Sequence, residues 1–131
     1  MSAIHQSGTR KRAVARATLT KGTGIVRINR QALSSIPKTL YRSKIEEPLL
    51  LAGDAIKKIN ISVNVFGGGI NSQADAIRTA IAKSLAEHDK KLKKLFLDYD
   101  RSLLVPDVRR KETHKPGNHG KARASRQTSY R

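Results

Sequence analysis

Ala13, Ala15, Ala17 and Leu19 alternate with Val14, Arg16, Thr18 and Thr20, a pattern that predicts a strand with one face toward a core. Lys21-Gly22-Thr23-Gly24 has turn composition, and Ile25 to Asn29 resumes an apolar run, so the two segments read as a β-hairpin. Arg16 and Arg27 would share its outer face, behind the basic cluster Arg10-Lys11-Arg12. Gln31 to Ile36 predicts a short helical turn stopped before Pro37. Tyr41 to Ala52 sets Ile45, Leu49 and Ala52 on one helical face, with disorder, a kink or a restart at Pro48. Gly53 permits a stop, or Asp54 to Lys58 prolongs the helix.

The clearest strand is Asn60 to Phe66, with Ile61, Val63 and Val65 facing one way and Asn60, Ser62, Asn64 and Phe66 the other. Gly67-Gly68-Gly69 ends it. From about Ser72 to Glu87, Ala74, Ile77, Ile81 and Leu85 recur at helical spacing, while Ala76, Ala80 and Ala82 allow close approach to a sheet. Asn71 or Ser72 is the expected cap. A shorter helix, Asp89 to Leu97, turns Leu92, Leu95 and Phe96 inward and Lys90, Lys91, Lys93 and Lys94 outward. Leu103-Leu104-Val105-Pro106 closes the body.

Charge changes this picture of an ordinary small domain. The 131-residue chain carries a net charge of +17, which points to nucleic acid or, less directly, an anionic membrane surface. Met1 to Ser43 holds nine Lys and Arg and no acid; all ten acids lie between Glu46 and Glu112. The last stretch, Arg109 to Arg131, has eight cations against Glu112 and no Val, Ile, Leu, Phe or Met. Such a segment cannot recover its ordering entropy by folding on itself and needs a polyanion to lie against. Residues 1–108 therefore read as a globular body and 109–131 as an extended basic arm that body aims. There is no cysteine, so disulfides and thiolate chemistry are excluded. No apolar run approaches a membrane span and the N-terminus lacks an apolar signal core, so an intracellular protein is expected.

Little else suggests chemistry. The loop Gly67, Gly68, Gly69 lies between a strand and a helix, where amides attract anions. It lacks both a third fingerprint glycine at Ser72 and the Gly-Lys-Ser/Thr ending of a triphosphate loop. Its glycines permit either a sharp turn or a close approach to an RNA phosphate. His114 and His119 stand among cations without cysteine, a poor metal set. No catalytic constellation stands out. Five aromatics are thin for a stacking platform, so binding should rest on phosphate contacts and shape. Tyr130, beside the terminal Arg131, is the exception.

In order and spacing these pieces resemble the universal S-nine family of the small ribosomal subunit. The resemblance is carried by Gly8-Thr9-Arg10-Lys11-Arg12-Ala13-Val14-Ala15-Arg16, Gly22-Thr23-Gly24, and Val65-Phe66-Gly67-Gly68-Gly69 with Gln73-Ala74-Asp75-Ala76-Ile77-Arg78. Asp107-Val108-Arg109-Arg110-Lys111-Glu112 and the ending Lys121-Ala122-Arg123 to Ser129-Tyr130-Arg131 complete it. The Ser-Tyr-Arg ending and compact length resemble the archaeal branch.

The resemblance implies an α+β fold, a two-layer sandwich of a mixed sheet with helices on one face, plus the basic tail. It implies a left-handed β-α-β crossover like that in the second domain of ribosomal protein S-five, against the usual hand. It further implies a cytoplasmic, non-enzymatic constituent of the subunit head, without cofactor, metal, membrane or small-molecule substrate. Implied partners are ribosomal RNA, neighbouring head proteins and the transfer RNA in the peptidyl site. The RNA contacts would fall on Arg10, Lys11, Arg12, Arg16, Arg109, Arg110, Lys111, Lys115, Lys121 and Arg123. The transfer RNA contact would fall on Arg131, Tyr130, Ser129 and Arg126, Tyr130 standing where bacterial members carry lysine. Two other classes compete: a small-molecule kinase-like enzyme, which needs a phosphate loop this chain lacks, and a DNA-compacting protein.

Overall fold

A computed structural model describes residues 2–37 and 39–125. It contains strands β1 (Ile4–Arg10), β2 (Ala13–Lys21), β3 (Val26–Ile28), β4 (Gln31–Ala32) and β5 (Ile59–Phe66), and helices α1 (Leu40–Ala52), α2 (Ile70–His88) and α3 (Lys90–Tyr99). The strands form one sheet in the order β1-β2-β5-β3-β4, with β3 and β5 parallel and the other pairs antiparallel. The fold is α+β, a mixed sheet with helices on one face, as the family resemblance implied.

Alternation explains the layering. Ala13, Ala15, Ala17 and Leu19 of β2 and Ile59, Ile61, Val63 and Val65 of β5 are all buried, while their alternates face away from the helices. The small side chains on β2 leave room for α2, whose Ala74, Ala76, Ile77, Ala80, Ile81 and Leu85 are fully buried. Gly8 on β1 admits the α2 backbone: a Cβ there would collide with the Ala76 carbonyl and Ala80 nitrogen. Hydroxyls inside α2 are satisfied locally, Thr79 donating to the Asp75 carbonyl at 3.0 Å and Ser84 to the Ala80 carbonyl at 2.9 Å. Phe96 of α3 is fully buried and fastens that helix to the core, a burial worth roughly 1.5–3 kcal/mol.

Several expectations are corrected. Ala13–Thr20 and Ile25–Asn29 do not form a hairpin, because β5 lies between β2 and β3. The intervening loop instead wraps the start of β5: Gly22 and Gly24 N–H groups donate to the Lys58 and Ile59 carbonyls, and Asn60 Oδ1 accepts the Thr23 and Ile25 N–H groups at 2.9 and 3.1 Å. The hairpin partner of β2 is β1, joined through Lys11 and Arg12, with Lys11 at φ +52°. Gln31 and Ala32 are a strand, and only Leu33–Ser35 makes a 3₁₀ turn. Helix α1 runs unbroken through Pro48, which is itself buried; core packing offsets the lost backbone bond. Gly69, not Asn71 or Ser72, occupies the α2 cap position, and no side chain caps it. Leu95 is 42% exposed rather than inward.

Candidate nucleic-acid interface

The cationic residues singled out from the sequence fall into three places. The first is one end of the sheet, where the β1–β2 turn, the glycine loop, the start of α2 and the root of the tail meet. Lys11 and Arg12 are exposed at the tip of that turn. The glycine loop packs beneath them, and a Cβ on Gly67 would lie 2.6 Å from the Arg12 carbonyl oxygen, one on Gly68 3.1 Å from the Ala13 nitrogen. Gly67 and Gly68 have φ of +77° and +65°, which glycine adopts without steric cost. The sharp-turn explanation accounts for both residues; only Gly69 has open space around its Cα.

Arg10 is mostly enclosed. Its Nε lies 3.9 Å from Asp75 on α2 and its Nη1 3.5 Å from Asp107 at the tail root. Lys44 of α1 reaches the other Asp75 oxygen at 3.2 Å. Asp107 also accepts the Arg109 backbone N–H at 2.9 Å and its guanidinium at 2.6 Å. Those hydrogen bonds from Arg109, with Arg10 behind them, hold the Asp107 carboxyl far below the usual carboxylate range.

The second place is the tail itself. Arg110 and Lys111 are exposed, and neither forms an ion pair among the described residues. Glu112 is clasped by Arg123 at 2.9 Å and Lys115 at 3.2 Å, which lowers its carboxyl below normal. The Lys115 N–H donates to the Lys121 carbonyl at 3.1 Å, closing a small loop that contains the exposed His119, with the exposed His114 just before it. Residues 113–125 are exposed apart from the partly covered Asn118 and Ala122, so this loop lies off the core. Arg126, Ser129, Tyr130 and Arg131 lie outside the described residues.

The third place is the sheet face turned away from the helices. Arg16 is exposed there, its guanidinium carbon 5.8 Å from the centre of the Phe66 ring. Phe66 is 54% exposed. Reading the sequence for cations missed it, although the alternation of β5 had turned it outward.

The family profile described as ribosomal protein S9/S16 matches residues 8–131, which takes in all three places. The chain belongs to this family. It is a structural family of the ribosome rather than an enzyme family. Similar proteins include small ribosomal subunit protein uS9 of Methanococcus maripaludis strain C7, 47% identical over the whole of both chains. The protein of that name from Methanothrix thermoacetophila is 45% identical, again over the whole of both chains. That of Thermoplasma acidophilum is 50% identical over 95% of this chain and 98% of its own. These relatives are archaeal, in keeping with the Ser-Tyr-Arg ending.

Proposed function

We propose that the protein is a structural constituent of the small ribosomal subunit in the cytoplasm, securing ribosomal RNA of the head with its cationic end while its tail reaches peptidyl-site transfer RNA. Residues 1–108 act as the body and 109–131 as the tail. The observation that carries this reading is the exposure of Lys11 and Arg12 at one end of the sheet, beside the point where the basic stretch begins, with Asp75 and Asp107 there already paired to Arg10, Lys44 and Arg109. Cations in this setting replace the counterions condensed on RNA, so affinity comes from their release. Arginine adds a planar, two-pronged grip on phosphate. Fully extended, the tail spans at most about 75 Å at roughly 3.3 Å per residue, ample to leave the body and reach a second RNA.

Docking the body first raises the local concentration of the tip at its own target. Ser129 to Arg131 are assigned that contact, with Arg126 and Arg123 along the approach. Deleting Ser129 to Arg131 tests it: incorporation into small subunits is expected to persist, and transfer RNA retention to weaken. Unchanged retention removes the tip from the mechanism. Loss of the full-length protein from subunits in a low-salt wash overturns the reading as a whole.

A further inference from the structure

None of the five strands contains an Asp or Glu, although the chain has ten acids. The sheet face away from the helices is thus free of negative charge on its strands. Solvated antiparallel faces have no reason to exclude acids, and cross-strand opposite charges stabilise them. Register places the outward residues in rows. Arg16 pairs with Asn64 and Thr18 with Ser62 across β2 and β5, and Arg27 pairs with Ser62 across β3. Among the described residues, the side chains of Arg16, Arg27, Ser62 and Asn64 make no hydrogen bond or ion pair. Val14 and Phe66 form the next row, beside the glycine loop.

We infer that this open face is a further RNA-binding surface, on which Phe66 stacks an unpaired base while Arg16 and Arg27 take phosphates of the same strand. The inference rests on the ribosomal reading above and adds the part of the body that touches RNA bases. Charge complementarity selects a polyanion: two guanidiniums and a row of neutral polar groups face outward, and no acid among the described residues pairs with either guanidinium. The exposed ring selects a single-stranded or looped segment over a regular duplex, because only a splayed base offers its π-face. Arg16, over one side of Phe66, extends the stack with its own plane. Strand spacing and rise put the Cα atoms of Arg16 and Arg27 about 12 Å apart, too far for one phosphate. Asn64 and Ser62, between them, supply the hydrogen-bonding groups that a base edge or a ribose hydroxyl requires.

The full-length protein is titrated with a short single-stranded RNA carrying a fluorescent adenine analogue, and with duplex RNA of equal length. Phe66→Ala and Phe66→Leu are each expected to weaken single-strand binding roughly tenfold and to abolish quenching of the analogue, leaving the salt slope unchanged. Arg16→Gln should lower that slope by about one. Both side chains are solvent-facing, so thermal melting of the variants checks that the fold is intact. Variants that bind and quench like the unmodified protein overturn the inference and leave the ribosomal reading standing. So does cross-linking in assembled subunits that joins Phe66 only to a protein. An unmodified protein that binds neither RNA overturns both.

Discussion

Arg10 of β1 stands 3.5 Å from Asp107, the residue at which the chain leaves the body. The two are 97 positions apart in a 131-residue chain, and their ion pair sets the tail's point of departure. The contact lacks hydrogen-bond alignment, so the enclosed Nη1 has no hydrogen-bond partner among the described residues. The ion pair places Arg10 beside the start of the C-terminal stretch. Asp107→Asn should leave global stability nearly unchanged, because the acid is solvent-accessible and its ion pairs are screened. It should speed tryptic cleavage after Arg109 and Arg110. Cleavage at the unmodified rate would show that the pair does not hold the root.

Salt dependence tests whether the exposed cations engage RNA more than those already paired. Lys11→Gln and Arg12→Gln should each reduce the slope of log affinity against log salt by about one. Arg10→Gln should change that slope less, since its charge faces Asp75 and Asp107. Filter binding to small-subunit RNA over a salt series gives the three slopes. Equal losses at all three positions would make Arg10 a phosphate contact instead.

The glycine loop yields a stability contrast. Gly67→Ala combines a left-handed backbone with a clash at 2.6 Å and should cost about 1–3 kcal/mol. Gly69 has ordinary backbone geometry and open space, so Gly69→Ala should lie within about 0.5 kcal/mol of the unmodified protein. Urea denaturation of both variants decides it. A Gly69 variant that is stable yet binds RNA poorly would mean that RNA approaches this loop closely.

Arg78 ties three helices together, donating to Glu47 at 2.8 Å, Asp100 at 3.3 Å and Ser102 at 3.3 Å. Burial alone raises the Glu47 carboxyl, but hydrogen bonds from Arg78 and Tyr99 outweigh it and leave it below normal. Asp100 is lowered first by the Ser102 N–H and then by Arg78. Groups depressed in the folded state contribute stability above the unfolded carboxylate range, near pH 4, and lose it as pH falls through their lower folded values. Arg78→Ala should cost about 1–2 kcal/mol at pH 7, with the difference from the unmodified protein shrinking toward pH 3. Denaturant midpoints at the two pH values measure this, and a pH-independent difference would assign the loss to packing.

Legibility followed locality. The faces of β2 and β5, the apolar stripe of α2 and the lysine side of α3 depend on neighbours a few positions away, so periodicity revealed them. The β1–β2 hairpin escaped because its turn is Lys11-Arg12 rather than a glycine-bearing pair, and Ile4–Arg10 carries mostly polar residues. The expected hairpin after Lys21 failed because the Gly22 and Gly24 N–H groups bond to the start of β5, which lies between β2 and β3, instead of closing a tight turn. Nothing in the local pattern distinguishes the two.

By itself the sequence determined that this is a small, strongly basic chain with cations concentrated in its C-terminal stretch, and which side of each strong element meets the core. Charge and hydrophobic period are additive along a chain, so they need no fold to be counted. Only the tertiary structure decided which cations are free. It spends Arg10 on Asp75 and Asp107, leaves Lys11 and Arg12 at a tip, and sets Arg16 over Phe66 on a face without acids. Pairing of charges depends on contacts between distant segments, and those exist only once the sheet has closed.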